Sequence, residues 1–140
     1  MTQKGSTHLS SYALSVLRVI AGFTFALYGA KLLFGAFGGA DNAGHAAPLL
    51  SLFGLAGVLE FVGGTLIALG LFTRPAAFVL SGQMAVAFFL EHFPHGWNPV
   101  LNEGTAAVLY SFIFLYLSAA GGGPLAIERL FRRSTPQLES

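Results

Sequence analysis

The chain contains no cysteine. That one absence excludes disulfide staples, thiol redox chemistry and cysteine-ligated metals. Charge is nearly as scarce. Asp, Glu, Lys and Arg make up 9% of the 140 residues, where a water-soluble domain carries about 25%. A net charge of +1 offers no basic surface for nucleic acid. Familiar catalytic patterns are missing too. There is no Ser/His/Asp array and no dinucleotide fingerprint. Gly121, Gly122 and Gly123 run into Pro124 with no strand before them, so they read as a helix stop and not a phosphate cradle.

What remains is apolar. Hydrophobic residues reach 54% and mean hydropathy is +0.69, a balance that makes the bilayer the expected solvent. A hydrocarbon core of about 30 Å needs about 20 helical residues. Four stretches meet that need, at roughly 10–34, 49–72, 76–93 and 101–120. The first is too long for a signal-peptide core and carries Arg18, so it reads as a retained span. Backbone groups in lipid must be satisfied within the segment, which selects helices over open strands. The breaks fall where turn chemistry is dense: Gly, Asp, Asn and Pro in 35–48, Thr73-Arg74-Pro75, and two prolines in HFPHGWNP. The stretch LAIERLFRR is short, basic and amphipathic, which suits a membrane surface. The expected fold is therefore an all-α transmembrane four-helix bundle with a short C-terminal interfacial amphipathic helix. One membrane domain spans 9–133, between polar tails at 1–8 and 134–140.

Four spans place both termini on one side. That side carries Lys4, Arg74, Arg129, Arg132 and Arg133, and the opposite side carries Lys31 alone. Excess Lys and Arg mark the cytoplasmic face, so both termini are expected in the cytoplasm.

Ionisable residues inside a bilayer mark function or a buried pair. Arg18 and Glu60 both fall near mid-span by residue counting, so a pair between the first and second helices is predicted. Two readings of that pair stand: a register device without chemistry, or a polar anchor for a ligand or a proton. Under either one, Glu60→Leu would strand the arginine and destabilise the fold. Gly57 and Gly64 share the face of Glu60, and Gly22, Ala26 and Gly29 form a small-residue stripe on the first helix. Close helix approach is expected there, with Glu60 facing the bundle interior.

A second group gathers toward the outer end. Glu103, Ala107 and Tyr110 share one sector of the fourth span, and Gln83, Ala87 and Glu91 one sector of the third. Gln83, Glu91, Glu103 and Tyr110 are therefore predicted to line an outward-facing cleft. Lys31, Glu91 and His92 form an outer-side cluster, which is equally readable as interfacial snorkelling. Pro94 interrupts helical spacing between His92 and His95, so neither a metal nor haem is expected.

The segments RVIAGFTFALYGAKL and GLAGVLEFVGGTLIALGLFTRPAAFVLSGQ, followed by the rest of the chain to about residue 131, resemble the DoxX family of bacterial four-helix membrane proteins. The residues that carry the resemblance are Arg18 with Gly22, Gly29 and Lys31, then Glu60 with Gly64, the LGLFTRPAA turn, and the terminal Gly-Pro element. The family commonly closes its last motif with an Asp, whereas Glu128 stands near that place here. The resemblance implies a bacterial inner-membrane protein. Founding members form the membrane subunit of a thiosulfate:quinone oxidoreductase, and others are linked to oxidative-stress complexes. It thus implies a redox-associated subunit that contacts quinone or a redox partner protein. The residues alone leave open whether the chain catalyses anything. They fit equally a non-catalytic binder or transporter of a small hydrophobic or anionic ligand, or a structural assembly subunit whose polar residues only fix helix register; the small-residue stripes are compatible with a homo-oligomer under any of these.

Overall fold

The computed structural model describes residues 3–134. Among these residues there is no strand, and five α-helices follow in order. They are α1 (Gln3–Phe34), α2 (Leu52–Leu69), α3 (Thr73–Ala87), α4 (Thr105–Ala120) and α5 (Ile127–Arg133). A π turn, Phe88–His92, and a 3-10 turn, Phe93–His95, prolong α3. Most of the polar tail expected at 134–140, and the first two residues of the one expected at 1–8, lie outside the described residues.

Three segments are long and apolar enough to cross a membrane: Thr7–Phe34, Leu52–Leu69 and Thr73–His95. The exterior bears this out in its chemistry. Ile20, Phe23, Val62, Phe78, Val86 and Phe112 are all exposed, whereas Ser15, Arg18, Glu60 and Ser81 are buried. Such an arrangement is unstable in water and natural in lipid, where the apolar face needs no cover and the polar groups do. The core proper is a column of Phe25, Ile67, Leu80, Phe114 and Leu117.

α4 begins later than the sequence predicts, at Thr105 instead of about 101, and its 16 residues reach only about 24 Å. The side chain of Asn102 accounts for the delay. Its Oδ1 accepts from the Gly104 amide at 2.9 Å, and its Nδ2 donates to the Gly96 carbonyl at 2.7 Å. These bonds hold residues 96–104 as a turn, with Glu103 at a left-handed φ of 62°. Asn and Asp side chains compete with helix in this way.

The helices pack as two tight pairs. Between α1 and α2 the predicted small-residue stripe is present. A Cβ added at Gly64 would stand 2.6 Å from the Ala26 nitrogen and 2.7 Å from the Gly22 carbonyl oxygen, so only glycine permits this approach. Between α3 and α4, Ser81 and Ser111 exchange hydrogen bonds, each hydroxyl donating to the other's carbonyl at 2.8 and 3.2 Å. α2 and α3 meet along a looser seam.

α2 has well-marked ends. Ser51 caps its start, Oγ accepting from the Gly54 amide at 3.1 Å. At the other end Gly70 takes φ 73°, its amide bonds to the Ile67 carbonyl, and the Leu71 amide reaches back to Leu66. That is a Schellman stop, which a residue with a Cβ strains to adopt.

Candidate functional site

The predicted pair between Arg18 and Glu60 does not form. Arg18, 1% exposed, donates to four carbonyls instead: Ile67 at 2.7 Å, Ala68 at 2.5 Å, Gly122 at 2.7 Å and Leu125 at 3.4 Å. The first two belong to the last turn of α2, where carbonyls lack intrahelical donors and the helix dipole is negative. The other two belong to the loop between α4 and α5. Arg18 therefore stands level with the end of α2 and not at mid-span. The counting error has a physical origin. α1 begins at Gln3, and its turns before Arg18 extend about 22 Å past the end of α2.

Glu60 has a different partner. Its Oε1 accepts from Nε2 of Gln83 on α3 at 3.0 Å. Among the described residues it joins no ion pair; the one present is His45–Asp41, at 2.6 Å in the first outer loop. Glu60 lies ten residues before Gly70 and Gln83 ten residues after Thr73. Counting outward from the tight α2–α3 turn places them at one depth, and that signal was present in the sequence. Gln83 Nε2 has a second, long contact of 3.5 Å to the Ala56 carbonyl, and its Oε1 is buried without a partner.

Glu60 and Gln83 sit at the inner end of a cleft of about 500 Å3 between α1, α2 and α3. Lys31, Glu91 and His92 line its other end, so the outer-side cluster and the inner polar pair belong to one cavity. Most of the remaining wall is apolar, including Leu59, Val79 and Val86. Leu55, Val79 and Val86 are more than a third exposed, so the looser seam opens the cleft sideways to the lipid face. Tyr28 also lines it. This residue lies one helical turn before Lys31 on the same side of α1.

Two predicted lining residues lie elsewhere. Tyr110 packs into the core, with its ring 5.2 Å from Phe25 and 5.7 Å from Phe114. Glu103 is exposed in the turn before α4. Their shared helical sector fails because α4 starts two residues after Glu103, and no α4 residue lines the cleft.

The π turn orients the cleft mouth. Its wider winding adds a residue to the helix path, and Glu91 and His92 both lie within it. His92 Nδ1 is 3.0 Å from the Asn102 carbonyl oxygen. A carbonyl only accepts, so Nδ1 carries the hydrogen and Nε2 of the neutral ring is an acceptor. The loop 36–51 closes over the same end, Ala40 contributing to the wall. Asp41 organises that loop by accepting from the amides of Ala43 and His45 and from the His45 ring. The His45 contact, and then the Ala43 amide, pull the Asp41 carboxyl down to about 2. No group of three metal-ligating side chains occurs among the described residues.

The sequence profile of the DoxX family matches residues 13–93, more than half of the chain. The chain belongs to the DoxX family. The match takes in the whole cleft: Tyr28, Lys31, Glu60, Gln83 and the π turn all fall inside it. An uncharacterised protein of Haemophilus influenzae is 41% identical over 124 residues, covering 86% of this chain and 91% of its own length. No solved structure matches the chain.

Proposed function

We propose that this DoxX-family protein is a redox-associated membrane subunit whose α1–α2–α3 cleft binds the headgroup of a quinone or quinol. The carrying observation is the Glu60–Gln83 pair at the inner end of an apolar cleft open to lipid. Ligand pockets commonly occupy about 300–1,000 Å3 with a few placed polar groups, and about 500 Å3 falls within that range. The ligand would partition from the bilayer through the α2–α3 seam, tail outward.

The residues present fit such a ligand. Gln83 Oε1 is an acceptor without a donor, and His92 offers Nε2 as another; a quinol hydroxyl supplies the missing hydrogen to either. The contact from Gln83 Nε2 to Ala56, at 3.5 Å, is long enough to give way to a quinone carbonyl. Glu60 orients the Gln83 amide and holds a carboxyl beside the ring position. A bound quinone supplies two-electron redox capacity, and the chain's own residues supply position, hydrogen bonds and exclusion of water. Without cysteine the electrons pass through the ligand and a partner protein.

The reading extends to placement: four spans in a bacterial inner membrane, with both termini cytoplasmic on the side of Arg74, Arg129 and Arg132. A non-catalytic binder or carrier of small amphipathic anions is the second reading, favoured by Lys31 at the cleft mouth.

Binding of a short-chain ubiquinone to the full-length protein in nanodiscs tests the proposal. Saturable binding that weakens about tenfold or more in Gln83→Leu, through loss of one buried polar partner, is the expected result. Equal binding by wild type and Gln83→Leu would remove the cleft from consideration. Saturable binding of an amphipathic anion without quinone binding would favour the second reading.

A further inference from the structure

A second cavity, of about 530 Å3, lies at the opposite end of the molecule from the cleft mouth. It is walled by the overhanging first turns of α1, the glycine turn after α4, and α5. Its chemistry is the reverse of the cleft's. Arg74, Arg129 and Arg132 line it together with Ser11 and Tyr12.

The arginines are unequally engaged. Arg74 uses Nη1 to hold the Ser118 and Ala119 carbonyls at the end of α4. Its Nε and Nη2 have no hydrogen-bond partner among the described residues, and neither Arg129 nor Arg132 forms an ion pair there. Glu128 is the one carboxylate in the wall, so three guanidinium groups face the space with a single acid among them.

The surroundings are apolar in a particular way. Leu125 and Leu130, on the α4–α5 loop and α5, are 59% and 62% exposed, and Tyr12 on α1 is 51% exposed. A basic pocket rimmed by bare apolar side chains, at the ends of membrane-crossing helices, matches a lipid with its phosphate inward and its acyl chains along the rim. A guanidinium's planar donor set suits phosphate oxygens.

We propose that this pocket is a binding site for an anionic phospholipid, with Arg74, Arg129 and Arg132 holding the headgroup phosphate. The site is independent of the quinone cleft. By tying α1, the glycine turn and α5 to one lipid, it fixes the depth at which this end sits in the bilayer.

Native mass spectrometry on the full-length protein in detergent tests this, using phosphatidylglycerol and phosphatidylcholine of identical acyl chains. Arg129→Gln with Arg132→Gln is the variant of choice, because these side chains form no ion pair among the described residues, whereas Arg74 caps α4. Wild type is expected to retain phosphatidylglycerol in preference to phosphatidylcholine. The double variant should lose that preference by about fivefold per arginine, with its melting temperature in phosphatidylcholine unchanged. Equal retention of the two lipids by wild type, or an unaltered preference in the double variant, overturns the proposal. So does displacement of phosphatidylglycerol by inorganic phosphate but not by sodium chloride of equal ionic strength, since the pocket would then be a site for the free anion.

Discussion

The two ends of the bundle solve the problem of buried polarity in opposite ways. At the α2–α3 turn, a full cation is surrounded by carbonyls of α2 and of the α4–α5 loop, and every contact of Arg18 is to backbone. Backbone acceptors are present whatever the side chains are, and the last turn of a helix needs donors. This end is therefore held shut by chain geometry. Toward the other end, a carboxyl meets a single neutral amide across a seam where glycine meets a side chain, Gly63 against Leu80, and not backbone as between α1 and α2. The first arrangement joins elements distant in sequence. The second leaves hydrogen-bonding capacity unspent.

That contrast ranks the consequences of breaking each end. The largest effect is expected from Arg18→Leu. It leaves the Ile67, Ala68 and Gly122 carbonyls without their donor in a dry site, and hydrogen bonds to charged groups contribute about 1.5–3 kcal/mol each. A loss of about 3 kcal/mol or more should appear as a sharply lowered melting temperature in mild detergent. A melting temperature within a few degrees of wild type would mean that water or other donors reach those carbonyls.

Glu60→Gln should have a much smaller effect on the fold, within about 1 kcal/mol, because an isosteric amide keeps an acceptor for Gln83 and no arginine is stranded. The same measurement checks it. If Glu60→Gln destabilises as severely as Arg18→Leu, the open end is as structural as the closed one and the contrast collapses.

The smallest effect belongs to the loop over the cleft mouth. The folded protein holds the Asp41 carboxyl at about 2, below its ordinary value of about 3.9. A lowered carboxylate contributes stability above its unfolded value and loses it as pH falls through the folded one. Loop order should therefore be complete at neutral pH and fade between about pH 4 and pH 2. Amide exchange at Ala43 and His45 is the readout. Asp41→Asn should speed exchange there at neutral pH while leaving α2 protected, and unchanged exchange in that variant would show that the backbone alone holds the loop.

How much of this was legible beforehand follows from what each residue's position depends on. Helix identity, the stop at Gly121 and the small-residue approach of Gly22 to Gly64 depend on local chemistry, and the sequence displays them; the Gly70 stop came three residues before the break expected at Thr73-Arg74-Pro75. Gln83 and Glu91 were expected in a cleft and Lys31 and His92 in an outer-side cluster; the four line one cavity, because spacing along a helix end survives small errors in boundaries. Arg18 was misplaced because partner choice between helices depends on where each begins, and α1 starts at Gln3 without an acidic first turn or a proline to announce it. Tyr110 and Glu103 were misgrouped for the same reason: Asn102 diverts the backbone before α4, and a shift of four residues in a helix start changes which side chains belong to it.

The π turn at Phe88–His92 makes the cleft mouth sensitive to length. An α-helix advances about 100° per residue, so deleting one residue there and restoring regular winding would swing Glu91 and His92 by roughly that angle, away from Lys31 and the loop above them. Substitution would alter the lining one group at a time; deletion would disassemble the mouth at once while leaving the composition of the segment almost untouched. Homologous chains that keep every polar residue of this mouth but lack one position between Phe88 and Phe93 would then share the bundle without sharing the entrance.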